Sequence, residues 1–205
     1  MQRSIYFSEE HEMLRQQIRR FILEFVVPSG DDWEINGMTP RRVLKDLGSL
    51  GLLGVRFPEK FGGSEMDTMA TVVLAEELAR STYAGFAITV LVHTDMASPH
   101  LANAGTLEQN EKYMPDIIKG NLITAIAVTE PEAGSDVAGI KTRAIKEDAH
   151  WVLNGSKMFI TNGVHGDLYF VAARTDQNAT GSSGITMFIV EKGTPGFTIS
   201  RDLDK

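Results

Sequence analysis

Cysteine is absent from the 205 residues, which removes disulfides, thiolate nucleophiles, haem thioethers and cysteine-ligated zinc together. Basic charge is scarce: 20 Lys and Arg against 27 Asp and Glu leave a formal net charge of −7. With no basic patch segregated along the chain, a nucleic-acid partner is not expected. Long apolar runs are missing too. A membrane span needs about 20 apolar residues, and the most apolar stretch, residues 84–92, is soon broken by His93 and Asp95. The first residues carry no apolar run between a basic segment and a small-residue cleavage site, so no export signal is expected. The histidines His11, His93, His100, His150 and His165 show neither metal-ligand spacing nor a nucleophile-elbow context; surface or helix-end positions and no metal are expected. Neither Gly62-Gly63 nor residues 132–139 match G-x-G-x-x-G or G-x-x-x-x-G-K-[ST], which sets aside Rossmann and P-loop sites.

What remains is globular in composition, 42% hydrophobic and 23% charged, and long enough for one large domain or two small ones. The hydrophobic period changes near Gly120. Before it the repeat is helical. Ser8 is a cap before Glu9 and Glu10, and Leu14, Ile18, Phe21, Ile22 and Phe25 recur at helical spacing until Pro28. Thr39-Pro40 opens a second helix with Val43, Leu44 and Leu47 on one face, ended by Gly51. Asp67 caps a helix over 68–80, and an apolar helix is expected over 84–104, stopped by Gly105. Thr106 and Gln109 form a capping box for one more, interrupted by Pro115 and closed by Gly120.

After Gly120 the period falls to two, predicting strands over 122–128, 141–146, 150–153, 156–160, 168–173, 185–190 and 197–200. Asn154-Gly155 suits a type I′ turn, so 151–160 reads as a hairpin. The expected fold class is α+β: an N-terminal all-α helical bundle over residues 1–120, then a small antiparallel β-barrel or sandwich over 121–205. The strand at 197–200 has no closing partner in residues 201–205, which reads as a domain that continues.

Two segments concentrate candidate chemistry. In residues 125–142 a buried strand ends at Thr129, Pro131 stops the ladder, and Ala133-Gly134-Ser135 leaves backbone N–H groups little obstructed. Such a turn cradles an anion or polar ring edge, with Thr129 and Ser135 as uncharged donors. An ordinary crossover capped by Ser135 or Asp136 explains it equally well. In residues 151–163 Phe159 and Thr161 share a strand face. An aromatic beside a hydroxyl suits a flat heteroaromatic ligand; Phe159 as core and Thr161 as filler is the alternative.

Together these segments resemble the acyl-CoA dehydrogenase family. T-E-P-E-A-G-S-D-V-A-G-I-K-T at 129–142 is similar to one family signature and W-V-L-N-G-S-K-M-F-I-T-N-G at 151–163 to its companion. G-L-L-G-V at 51–55, P-E-K-F-G-G at 58–63 and A-E-E-L-A-R at 75–80 agree. The resemblance covers essentially the whole chain and implies the family's N-terminal helical and middle β domains. It implies FAD as cofactor and an acyl-CoA substrate oxidised to the trans-2-enoyl-CoA. Electrons would pass to an electron-transferring flavoprotein, in a bacterial cytoplasmic or mitochondrial matrix enzyme of fatty-acid oxidation. It places Ile126, Val128 and Thr129 against the flavin ring, Thr129 at its edge. Gly134 and Ser135 would lie where flavin and thioester meet, Phe159, Ile160 and Thr161 beside the isoalloxazine, and Ser135, Ser182 and Ser183 on the acyl-CoA.

The sequence departs from the family pattern at Ile126 and Phe159, where aromatics and Trp are common, and at Glu132, where Gly is common and a negative charge would stand near a phosphate-bearing ligand. No Asp or Glu matches the family's catalytic base, which belongs to a C-terminal helical domain that also builds the oligomer. No catalytic residue is therefore expected within residues 1–205, and this chain alone is expected to be inactive and to bind FAD poorly. A full-length protein is expected to be a homo-oligomer. An oxygen-using acyl-CoA oxidase and a non-catalytic binding or scaffold relative are the alternatives.

Overall fold

Ser8 accepts from the His11 backbone N–H, and its own N–H donates to His11 Nδ1 at 3.0 Å, which closes a capping box with histidine in the role usual for Glu or Gln. From it runs α1 (Glu9–Phe21), acidic in its first turn and basic in its last, burying Leu14, Ile18 and Phe21. A π turn, Ile22–Val26, extends it, marked by the Val27 N–H on the Ile22 carbonyl at 2.9 Å. The extra residue rotates the stripe: Val26 is buried at 0% exposure, and Phe25, which α-spacing sends inward, is 54% exposed. The computed structural model describes residues 5–200 and divides into two compact units, one ending at Leu122 and the next beginning at Ile123.

In the first unit α2 (Gly30–Ile35) follows, a helix the sequence reading does not contain. Gly30 is there because Tyr83 occupies the space of a side chain, 2.3 Å from a Cβ position. The next helix, α3 (Arg41–Ser49), starts one residue later than expected, with Pro40 as the cap itself, and buries Val43, Leu44 and Leu47. It ends where Gly51, at φ +76°, lets the Leu52 N–H reach the Leu47 carbonyl at 3.0 Å. Asp67 accepts from the Met69 and Ala70 N–H groups and opens α4 (Thr68–Arg80). The expected helix over 84–104 is α5 (Ala84–Leu91) and α6 (Ser98–Ala104) joined by a π segment, Val92–Ala97. His93 lies in that segment with 0% exposure, so it is neither the surface nor the helix-end histidine expected; its Nε2 stands 3.0 Å from the Ile117 carbonyl. Thr106 and Gln109 cap α7 (Leu107–Ile118), which runs through Pro115 without interruption. One backbone bond is lost, but Met114, Ile117 and Ile118 on either side are buried, and their packing outweighs that loss.

The second unit is a five-stranded sheet, open and mixed, not the antiparallel barrel or sandwich expected. β1 (Thr124–Ala127) pairs in parallel with β4 (Leu168–Arg174), and β5 (Ile185–Glu191) pairs antiparallel with the other edge of β4. β2 (Arg143–Glu147) and β3 (His150–Asn154) form a hairpin that joins the sheet through Arg143 beside Arg174. Alternation of side chains reports a strand but not its direction, and the crossover from β1 to β4 is long enough to bring them side by side in parallel. As the strand paired on both edges, β4 is buried from Leu168 through Ala173.

The hairpin turn also differs from expectation. It falls at Asp148-Ala149, with Asp148 at φ +49°. Asn154-Gly155 makes no such turn, and residues 156–160 form no strand. Gly155 is small for another reason: a Cβ there would lie 2.2 Å from Thr142 Oγ1 and 2.7 Å from its Cα. Gly155→Ala is therefore expected to lower the unfolding free energy by about 1–3 kcal/mol, because the Thr142 backbone must move; a urea titration measures it. Residues 197–200 are not a strand either. Phe197 instead packs its ring on Tyr169, 4.7 Å between centroids, in a cluster with Ala125, Ala127 and Val171.

Candidate functional site

β1 lies at the edge of the sheet, and an irregular segment over 157–162 covers its unpaired side. Asn162 Nδ2 donates to the Thr124 carbonyl at 3.0 Å, Met158 N–H to the Thr129 carbonyl at 3.0 Å and Lys157 Nζ to the Val128 carbonyl at 2.9 Å. This side-chain and main-chain cover takes the place of a further strand. It brings the main chains of the two sequence-predicted groups side by side, Ile126, Val128 and Thr129 on one segment and Phe159, Ile160 and Thr161 on the next, with the Ile160 and Val128 side chains in different clusters. Ile160 packs on the Ala125 and Ala127 face of the sheet, and Val128 packs with Ala133, Ile140 and Ala172.

Phe159 is the outlier of this region. It has φ +58° and is 63% exposed, so a bulky side chain is held in left-handed backbone while gaining little burial. Strain of this kind, roughly 1–3 kcal/mol, persists where surrounding structure enforces it and is found at ligand sites. Asn162, at φ +63°, supplies the turn that follows.

Beyond Thr129 the chain doubles back through Glu130 and Ala133, whose main chains exchange bonds of 2.9 and 3.2 Å. Gly134 and Ser135 follow, both exposed, with open space where a Gly134 side chain would be. Among the described residues the hydroxyls of Thr129, Ser135 and Thr161 have no hydrogen-bond partner. Ser182 and Ser183 are exposed in a 3₁₀ turn, Gly181–Gly184, whose last glycine is buried. Ser183 Oγ is engaged by the Thr180 carbonyl at 2.7 Å. Arg174 fastens this turn to Val137–Gly139, donating to the Ala138 carbonyl at 2.6 Å and to Gly181 at 3.4 Å. Glu132 is exposed and paired with Lys141, which compensates the charge noted in the sequence.

Two buried charged side chains beside these residues escaped the sequence reading. Glu130 and Lys157 form an ion pair at 2.6 Å whose side chains are only 5% and 10% exposed. Glu130 also accepts from the Lys141 and Thr142 N–H groups at 2.6 and 3.0 Å. Burial pushes the Glu130 carboxyl up, but Lys157 and these N–H groups outweigh it and hold it down at about 2. Burial lowers the Lys157 ammonium against the pull of Glu130. A carboxylate so low and so fully engaged is a poor proton acceptor. Only a lone Lys before an apolar run and a lone Glu before Pro131 signalled the pair, 27 residues apart. Among the described residues no cluster of His, Cys, Asp and Glu could hold a metal ion, and no helix is long and apolar enough to cross a membrane.

The arrangement offers an exposed aromatic, hydroxyl donors and an open turn, suited to binding a flat ring with a polar edge. Residues 8–121 match the pattern described as acyl-CoA dehydrogenase, N-terminal domain, and residues 125–205 that of acyl-CoA dehydrogenase, middle domain. The long-chain specific acyl-CoA dehydrogenase, mitochondrial, of Mus musculus is 44% identical over 200 residues, which is 97% of this chain and 46% of that one. The crystal structure of an acyl-CoA dehydrogenase from Geobacillus kaustophilus superposes with a TM-score of 0.93 at 41% identity, over 99% of this chain and 53% of that one. A glutaryl-CoA dehydrogenase from Mycobacterium smegmatis in complex with FADH2 does so with a TM-score of 0.87 at 30% identity, over 97% and 50%. The chain thus spans about half the length of the relatives it matches.

Proposed function

The chain belongs to the acyl-CoA dehydrogenase family, and from that premise we propose that its sheet unit holds the ring of FAD. The activity it serves is oxidation of an acyl-CoA to the trans-2-enoyl-CoA. The residues present fit the cofactor. The observation that carries the reading is Phe159, exposed and held in left-handed backbone, on a segment bonded through Met158 to Thr129, with the hydroxyls of Thr129 and Thr161 unpartnered. Thr129 and Thr161 would donate to the ring edge, Ile126, Val128, Phe159 and Ile160 would lie against the ring, and Gly134 and Ser135 would admit the thioester. Ser182, and Ser183 less so because its hydroxyl is engaged, would meet the CoA portion. Bound FAD would accept the hydride from Cβ of the acyl chain. A carboxylate outside residues 1–205 would take the α-proton, since no Asp or Glu here matches the family's base. An electron-transferring flavoprotein would accept the electrons, and the complete enzyme would be a homo-oligomer.

The test begins with the intact mass of the product of the complete reading frame against the 22.5 kDa of this chain. A mass near twice that value, with a bound flavin whose colour bleaches on adding acyl-CoA, is the expected result. A 22.5 kDa product that neither binds flavin nor bleaches would overturn the reading. Residues 1–205 alone are expected to show no turnover.

Phe159→Ala separates binding from stability. With so little of the ring buried, and some strain released, the unfolding free energy should change by no more than about 1 kcal/mol. FAD affinity should fall roughly tenfold with loss of the contact area and stacking. Fluorescence titration of the apoprotein and urea unfolding measure the two.

A further inference from the structure

The Glu130 and Lys157 pair has no role in the site as drawn so far, yet the segments that carry Val128 and Thr129, Gly134 and Ser135, and Phe159 are all tied to it. Lys157 Nζ holds the Val128 carbonyl at 2.9 Å and Glu130 Oε1 at 2.6 Å. The main chain of Glu130 closes the turn with Ala133 that presents Gly134 and Ser135. The residue after Lys157, Met158, bonds the Thr129 carbonyl and leads directly into Phe159. Stability alone is a weak reason for such a pair, because removing two ions from water offsets most of their attraction and an apolar pair of equal volume would hold the fold as well.

Geometry supplies a stronger reason. The Val128 carbonyl and the Thr129 N–H belong to one planar trans peptide and point in opposite directions. By fixing the carbonyl, the ammonium aims the N–H away from the pair. Among the described residues that N–H meets no acceptor, and neither does the Thr129 hydroxyl. One residue therefore presents two donors with no protein partner, on a peptide whose orientation Lys157 sets.

We propose that Lys157, held by Glu130, is a positioning residue for the flavin: it fixes the Val128–Thr129 peptide so that the Thr129 N–H and hydroxyl donate to the ring edge. The proposal rests on the flavin reading above. Its consequence is electronic as well as structural. Donors aimed at the ring edge stabilise the negative charge the ring gains on reduction, so loosening them makes the bound flavin harder to reduce.

The test uses the product of the complete reading frame loaded with FAD. Glu130→Gln combined with Lys157→Met replaces the pair by neutral side chains of similar size. This variant is expected to bind FAD at least tenfold more weakly, with a more negative midpoint potential and a shifted visible band. Lys157→Arg keeps the charge beside Glu130 and so the fold, but its planar fork cannot reproduce the ammonium's place on the Val128 carbonyl; a smaller shift of the same sign is expected. Glu77→Ala, in the helical unit, lowers stability without touching this site and should leave potential and band unchanged. If both site variants keep the wild-type dissociation constant, potential and band, the positioning role is overturned and the flavin reading stands. A wild-type protein that takes up no FAD overturns the flavin reading and the positioning role with it.

Discussion

Glu130→Gln is expected to lower the unfolding free energy by about 3–5 kcal/mol, the range for breaking a buried ion pair from one side. The amide cannot balance Lys157, whose side chain is 10% exposed, and its NH2 must stand in for one of the two oxygens, facing either the Lys141 N–H at Oε2 or the Thr142 N–H at Oε1. Adding Lys157→Met should restore a large part of the loss, because the remaining charge is then gone. The shortfall from additivity in that cycle measures the coupling. The same pair predicts an acid transition. A carboxyl held near 2 against an ordinary 4.5 binds fewer protons folded than unfolded. Its stabilisation is complete above the ordinary value and is lost as pH falls from about 4.5 towards 2. A displacement of that size corresponds to about 3 kcal/mol at most, and burial of the Lys157 ammonium offsets part of it. Urea midpoints between pH 6 and 2.5 should fall in the wild type, and this component of the fall should vanish in Glu130→Gln.

The legible parts of the molecule are those whose cause is local. Capping by Ser8, Asp67 and Thr106 is written within a few residues of each helix start, and all three side chains accept the expected backbone N–H groups. The apolar period marks β1, β4 and β5 because their side chains alternate or are buried outright. What the period does not carry is a phase slip inside a helix, so Phe25 points to solvent where a π turn intervenes. Nor does it carry strand direction, which is why a mixed sheet read as antiparallel. Asn154-Gly155 misled for a related reason. The glycine answers a tertiary approach of Thr142, not a turn. In the site, the hydroxyls and aromatic that a resemblance singled out lie on two segments that the structure joins through the Met158 and Thr129 main chains. The charges that join them further could not be read from either segment alone, because a buried Lys and Glu 27 positions apart look like surface residues until the fold removes the water.

Glu77→Ala carries the largest effect expected in the helical unit, about 2–4 kcal/mol. This carboxylate on α4 is 1% exposed, so its charge survives because α1 supplies its hydrogen-bonding partners and Arg80 of α4 stands 3.9 Å away. Arg19 forks onto it through Nε at 2.8 Å and Nη2 at 2.7 Å, and Arg15 Nη1 adds a third bond at 3.1 Å. Burial raises the Glu77 carboxyl, and the Arg19 and Arg15 guanidiniums outweigh it, leaving it below the ordinary value. The contribution is therefore present above the usual carboxyl range and is lost as pH falls below it. Hydrogen bonds to charged groups are worth about 1.5–3 kcal/mol each, and a bidentate pair adds orientation. The deletion removes the clamp between the two helices, yet leaves Arg15 with Glu76 at 2.7 Å and Glu12 at 3.4 Å, which keeps the loss below that of an orphaned ion. Arg19→Ala should be milder, because that side chain is 44% exposed and Arg15 remains to balance Glu77. Two urea titrations decide the matter: equal losses for Glu77→Ala and Arg19→Ala would mean that the buried carboxylate is not the centre of the cluster, and a loss at Glu77 at least twice that at Arg19 is the expected result.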